Sequence, residues 1–251
     1  MNMQRALTGN AFQSEAGHSA PIHAHAGGQF TFVARGLLSL QTHNGAWFVP
    51  AGQLAWIPAG LHHGSRSRGP TEGWVVEAAQ SYSSRLPAQV SVLKSSPLLI
   101  AALARICRLT ANDSALQELL EQLVLMEIDH ITTESAGIRL PDTGALQAWA
   151  AGFLNAPDVK IAIDVAAAAT NMSRRTFTRH FEQETGSTFS HWKRQVLVHR
   201  AIEMLAGGAT VAATAFDIGY ENPSAFIAMF KSVHGLSPHR FMQALYQSNN
   251  D

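Results

Sequence analysis

Over the first eighty or so residues, apolar and polar positions exchange in short runs such as "QFTFVARGLLSLQT" and "GAWFVPAGQLAWIPAG", which Gly, Pro and Asn-Gly keep interrupting. Short aromatic and β-branched runs bounded by turn residues predict short strands, with a hairpin reversal at Asn44-Gly45. From Ser95 the period lengthens. Leu98, Leu99, Leu103 and Ile106, then Leu116, Leu119, Leu120, Leu123 and Leu125, recur at helical spacing and predict amphipathic helices over 97–109 and 114–130, Pro97 suiting a first turn. Gly137, Pro141 and Gly144 break that period, and beyond them the pattern is helical to the end. The chain is therefore expected to be a two-domain α+β protein: 1–136 strand-rich with two following helices, 137–144 a linker, and 145–251 all helix.

Within the helical half, "IDVAAAATNMSRRTFTRHFEQETG" has the form of a helix-turn-helix. Val165, Ala169 and Met172 are spaced to form one packed face, and the alanine run lets a second helix approach closely. Asn171 tolerates the positive φ a turn requires, Ser173 suits an N-cap, and Phe177 and Phe181 lie one turn apart. The arrangement recurs in "ATVAATAFDIGYENPSAFIAMFKSVHGLSP". Here Val211, Ala215 and Phe216 form the first helix, Gly219-Tyr220 the turn, and Asn222-Pro223 opens the second helix. Phe226 and Phe230 repeat Phe177 and Phe181 after 49 residues.

Net charge carries no message, since 18 Lys plus Arg balance 18 Asp plus Glu. Locally the balance fails: Arg174, Arg175, Arg179, Lys193, Arg194 and Arg200 face only Glu182 and Glu184 over residues 170–200. A basic helix after a helix-turn is the footprint of a major-groove reader, in which some arginines contact base edges and others phosphates. Double-stranded promoter DNA is the expected partner. The lone Cys107 excludes an internal disulfide, and no apolar run approaches the roughly 18 residues that span a bilayer. A cytoplasmic protein with no membrane partner is expected.

The first half holds a second chemistry. In "HSAPIHAHAGGQF", His23 and His25 are separated by one residue, and an extended strand then turns both imidazoles to one face. "GQLAWIPAGLHHG" supplies His62 and His63 after a Pro-Ala-Gly turn. Two or three converging imidazoles suit a divalent transition metal; without a metal they line a pocket for an organic effector. His18 and His62 are expected to face solvent or stand behind the others. Phe32, Trp47 and Trp56 are expected in the core of this half, as candidate pocket lining.

Both halves resemble known families. Gly17, His23, His25, Gln29 and Gly36 fall in the register of the first cupin motif, and Gly52, Pro58, Gly60 and His63 in that of the second. Gln29 stands where that family has Glu, and Ser67 where it has Asn. The resemblance implies a small β-barrel with a metal site formed by His23, His25, Gln29 and His63. The neutral glutamine favours ions that prefer imidazole, such as Ni²⁺, Zn²⁺ or Fe²⁺. "MSRRTFTRHFEQETGSTFSHW" and "AFDIGYENPSAFIAMFKSVHGLSPHRF" resemble the DNA-binding domain of the AraC/XylS transcriptional regulators, a resemblance covering about 145–243. It implies two recognition helices in successive major-groove segments. Ser173, Arg174, Arg175, Thr176, Thr178 and Arg179 would serve the first, and Asn222, Ser224, Ile227 and Lys231 the second, with Ala228 where an arginine is common.

A cupin-like sensor ahead of such a reader implies a regulator that responds to a small molecule or metal ion, with no catalytic residues. It also implies a homodimer through the 97–130 helices, and RNA polymerase as a partner if the protein activates. The rival class is a metal-dependent cupin enzyme, a dioxygenase or isomerase, with a helical appendage. It is disfavoured because the sequence offers no evident carboxylate base beside the histidines.

Overall fold

A computed structural model describes residues 6–15, 17–83, 85–94, 96–110, 112–134, 137–142 and 144–247. They group into two compact units, one drawn mainly from residues up to 137 and the other from 138–244.

The first unit begins with eight strands: β1 (Leu7–Ser14), β2 (His18–His23), β3 (Gly28–Arg35), β4 (Leu37–Thr42), β5 (Gly45–Pro50), β6 (Leu54–Ile57), β7 (His63–Ser67) and β8 (Thr71–Ala78). A short helix α1 (Gln80–Ser83) and a ninth strand β9 (Ser91–Lys94) follow, then helices α2 (Pro97–Ile106) and α3 (Ser114–Ile128) and strand β10 (Thr132–Glu134). One sheet runs β1-β8-β3-β6-β9-β10, and the other contains β5-β4-β7-β2. Strand β9 lies beyond the expected strand region. The reversal between β4 and β5 falls on His43 and Asn44, one residue earlier than Asn44-Gly45.

Period-two alternation decides which side chains meet the interior between the sheets. Along β3 and β8, Gln29, Thr31, Thr71, Val75 and Glu77 face an internal cavity. Phe30, Phe32, Trp74, Val76 and Ala78 point the other way, into a core shared with Leu99, Ala102, Leu103 and Ile106 of α2 and Val124 and Ile128 of α3. Each large apolar side chain buried there contributes about 1.5–3 kcal/mol. Ser96 caps α2, its hydroxyl accepting from Leu99 N at 3.0 Å. Glu121 of α3 accepts from the N–H groups of Ala6 and Leu7 at 3.0 Å each, tying α3 to the start of β1. The two helices thus cover the sheet with their inner faces, while Leu98, Leu119 and Met126 remain exposed.

From residue 144 onward the described chain is helical, with α4 (Gly144–Asn155), α5 (Ile163–Ala169), α6 (Arg174–Thr185), α7 (Phe189–Ala206), α8 (Val211–Asp217) and α9 (Pro223–His234); α10 (Pro238–Gln247) ends the described chain. Within the expected linker, Gly137–Arg139 form strand β11 and Gly144 starts α4, while Thr143 lies outside the described residues. The architecture is the expected two-domain α+β one, a β-rich unit with following helices and a helical unit with two helix-turn-helix motifs.

The two motifs are built alike. Asn171 has φ 55°, the one positive φ outside glycine among the described residues, and Met172 N donates to Ala167 O at 2.9 Å. In the second motif Gly219 has φ 88° and Tyr220 N donates to Ala215 O at 2.9 Å. Both first helices therefore end in the same left-handed cap. Their buried faces correct the expected phase. Ala166, Ala167 and Thr170 are buried in α5, and Thr214, Ala215 and Ile218 in α8. Val165 and Ala169, expected on the packed face, are exposed, as is Phe216. A run of alanines does not reveal which face is buried, because every face presents the same methyl group.

Candidate metal centre and nucleic-acid interface

His23 and His63 are cross-strand partners on β2 and β7, next to a register shift between Ala20 and His23. His25 follows just after β2, where its carbonyl accepts from Gly60 N at 2.8 Å. Gly60 has φ 72°, so the Pro-Ala-Gly turn holds His25 through its glycine. The three ring centroids lie 4.6–5.3 Å apart. One ring nitrogen from each comes within 4.8 Å of the others.

Hydrogen bonds fix the ring orientations. His23 Nδ1 lies 2.7 Å from Pro21 O and His63 Nδ1 2.9 Å from Leu61 O, so each ring donates there and its Nε2 is left to accept. Backbone carbonyls behind ligand histidines orient metal-binding imidazoles in this way. His23 Nε2 is 3.1 Å from His25 Nε2. Two lone pairs that close repel, so a proton or a cation must lie between them. Burial lowers the His63 pKa below its ordinary value of 6.5; the Leu61 carbonyl opposes this, and His23, His25 and His62 reinforce it. A neutral buried His63 is the form that ligates. Three imidazole donors this close together fit an imidazole-preferring divalent ion.

The triad lines a cavity of about 320 Å³, which also takes in Gln29, Glu77 and the hydroxyls of Ser65, Ser67 and Thr71. Gln29 donates from Nε2 to Thr31 Oγ1 at 2.9 Å, which leaves its carbonyl oxygen for another partner. His18 also lines the cavity, while His62 is exposed. Phe32, Trp47 and Trp56 do not line it. Phe32 stacks on Trp74 at 4.9 Å and Trp56 packs against Phe30 at 4.8 Å, on the face of the sheet that α2 and α3 cover. Trp47 lies against Gly137, where a Cβ would meet its indole. On β3 the polar Gln29 and Thr31 alternate with Phe30 and Phe32, so Phe32 belongs to the helix-covered core and the polar side chains to the cavity.

Glu77, which no sequence expectation named, lines the same cavity but lies outside the group of ligand atoms that the three histidines form. The signal lay in "TEGWVVEA", where Thr71, Val75 and Glu77 share one face.

In the second unit, Ser173 caps α6, its Oγ accepting from Thr176 N at 3.2 Å. Arg174, Arg175 and Arg179 are exposed along that helix, Thr176 and Thr178 half-buried. Arg174 pairs with Asp164 at 3.2 Å, and Thr178 donates back to Arg174 O at 2.9 Å. Asn222 caps α9 by accepting from Ala225 N at 2.9 Å; Ser224 and Lys231 are exposed and Ile227 half-buried. The basic patch is smaller than expected. Lys193 donates to Val159 O at 2.9 Å and Ile161 O at 2.8 Å, and Arg200 sits within 4 Å of Glu203 and Asp217. These two side chains hold helices and loops together, leaving the α6 arginines and Arg194 as its accessible charge.

A helix-turn-helix domain model matches residues 166–244, and a cupin domain model matches residues 12–77. The HTH-type transcriptional regulator NimR of Escherichia coli is 26% identical over 247 residues, covering 90% of this chain and 84% of that protein. Among solved structures, ToxT of Vibrio cholerae is 12% identical with a TM-score of 0.43, covering 97% of this chain and 100% of that one. The DNA-binding domain of the global transcriptional factor AdpA, solved with a target DNA, is 29% identical with a TM-score of 0.38, covering 41% of this chain and 93% of that one.

Proposed function

We propose that the chain is a DNA-binding transcriptional regulator of the AraC type with a cupin-like sensing domain, and that the sensor works through a metal ion. His23, His25 and His63 hold one Ni²⁺, Zn²⁺ or Fe²⁺ ion, with the Gln29 carbonyl as a weak further donor, and its occupancy modulates promoter binding. The observation that carries this is the convergence of three imidazoles, two of them with Nδ1 pinned to a backbone carbonyl so that Nε2 is the nitrogen left to accept or ligate. Such an ion would polarise whatever it binds, and here it would act as a recognition element with no catalytic step.

The α6 residues Ser173, Arg174, Arg175, Thr176, Thr178 and Arg179 read one major-groove segment. Asn222, Ser224, Ile227 and Lys231 of α9 contribute phosphate and apolar contacts in the next. Domain limits of 1–136 and 145–251, a cytoplasmic location, RNA polymerase contact and a homodimer built on the exposed Leu98, Leu119 and Met126 belong to the same proposal. A second reading rests on cavity size. About 320 Å³ exceeds what an ion needs and suits a small organic effector beside the triad or on its ion.

The deciding experiment is elemental analysis of untagged protein after incubation with Ni²⁺, Zn²⁺ or Fe²⁺, beside His23→Ala plus His25→Ala. About one ion per chain, lost in the variant, is expected. No ion in the native protein leaves the organic effector and defeats the metal reading, with the DNA-binding assignment intact.

A further inference from the structure

Resting on the metal reading above, we infer that Glu77, from strand β8, supplies the anionic donor that the neutral Gln29 position lacks. Glu77 and Gln29 are direct antiparallel partners across β8 and β3, and both face the cavity that the three imidazoles line. Side chains directly opposite in such a pair have Cβ atoms about 4.5–5.5 Å apart. Glu77, exposed on its strand, therefore lines the same end of the cavity as Gln29.

The hydrogen-bonding state of the two side chains separates their roles. The Gln29 amide nitrogen is committed to Thr31 Oγ1. Among the described residues the Glu77 carboxylate has neither a hydrogen-bond nor an ion-pair partner. It stands outside the tight triad of imidazoles, so it reaches the ion by rotation about its own side-chain bonds or through one bound water. Three neutral imidazoles alone leave both charges of a divalent ion uncompensated. One carboxylate halves that charge and adds an oxygen donor, which shifts the site from a purely imidazole set towards ions that accept mixed nitrogen and oxygen ligation.

Co²⁺ serves as the probe, because its visible absorption reports donor set and coordination number as well as occupancy. The full-length wild type, Glu77→Gln, the exchange variant Glu77→Gln plus Gln29→Glu, and His23→Ala plus His25→Ala are titrated with Co²⁺. Circular dichroism melts check that each is folded. Loss of a donor or of its bridging water is expected to weaken Co²⁺ binding in Glu77→Gln by about 10- to 100-fold and change the spectrum. Returning the carboxylate across the strand pair in the exchange variant restores most of the affinity. Unchanged affinity, or weaker binding with an unchanged spectrum, overturns the assignment of Glu77 as a donor while the histidine site stands. Absence of Co²⁺ binding in the wild type defeats the metal reading itself, and this inference with it.

Discussion

Side chains that repeat a local backbone rule were the ones the sequence made legible: Ser173 and Asn222 as caps, Asn171 as the positive-φ residue, and the His-x-His pair on one face. Each depends on near neighbours alone. Lys193 and Arg200 were misassigned to the basic patch because charge along the chain does not say which carbonyl or carboxylate folds against it. Arg175→Ala and Arg179→Ala are accordingly expected to weaken operator binding by about 1–3 kcal/mol each where they contact a base edge, without lowering the thermal midpoint. Lys193→Ala should do the reverse, destabilising the helical unit by leaving the carbonyls of Val159 and Ile161 unpaired. Fluorescence anisotropy with operator DNA, run beside thermal melts, separates the two; a stability loss in the arginine variants would contradict their placement. The histidine triad adds a pH dependence. The His63 pKa is depressed by burial, so the metal-free fold resists its protonation. That contribution is complete above about pH 6.5 and is lost as pH falls through the lower folded value. The thermal midpoint of metal-free protein should fall on acidification through that range, and less so in His63→Gln; an equal fall in both would remove His63 as the cause.

What makes an element legible in the sequence differs physically between the two halves. Helices α2 and α3 appeared at nearly their true limits because leucine spacing marks an amphipathic face. The exposed Leu119 and buried Gln117 show that spacing alone did not identify that face. Strand β9, four residues long, offered too short a pattern to separate from a loop. In the β-sheet, Phe32 and Trp56 lie in the core as expected and do not line the cavity, which Gln29 and Thr31 line from the opposite face of β3. Leu103 tests the packing at this scale, since it is fully buried between α2 and the sheet. Leu103→Ala is expected to destabilise the first unit by about 2–5 kcal/mol through lost burial and the cavity left behind. Chemical denaturation followed by tryptophan fluorescence measures it, and a loss below ~1 kcal/mol would mean that α2 docks loosely.

At the scale of the whole molecule, the question is whether the cavity and the reader are energetically coupled, and thermodynamics constrains the answer without reference to any pathway between them. If an ion on His23, His25 and His63 changes operator affinity by some factor, operator DNA must change ion affinity by the same factor. Factors of roughly 5- to 150-fold are usual for such couplings. The ion can shift the equilibrium between DNA-binding states only by its own differential affinity for them. The expected result is that Ni²⁺ or Zn²⁺ affinity measured with and without saturating operator differs as much as operator affinity measured with and without metal. Arg175→Ala plus Arg179→Ala should erase the DNA-dependent part and leave metal affinity in the absence of DNA unchanged. His23→Ala plus His25→Ala should erase the metal-dependent part and leave basal operator affinity in place. If the ion binds stoichiometrically yet neither affinity responds to the other ligand, the triad is a structural clamp for the barrel. Sensing would then belong to an organic molecule in the remainder of the cavity.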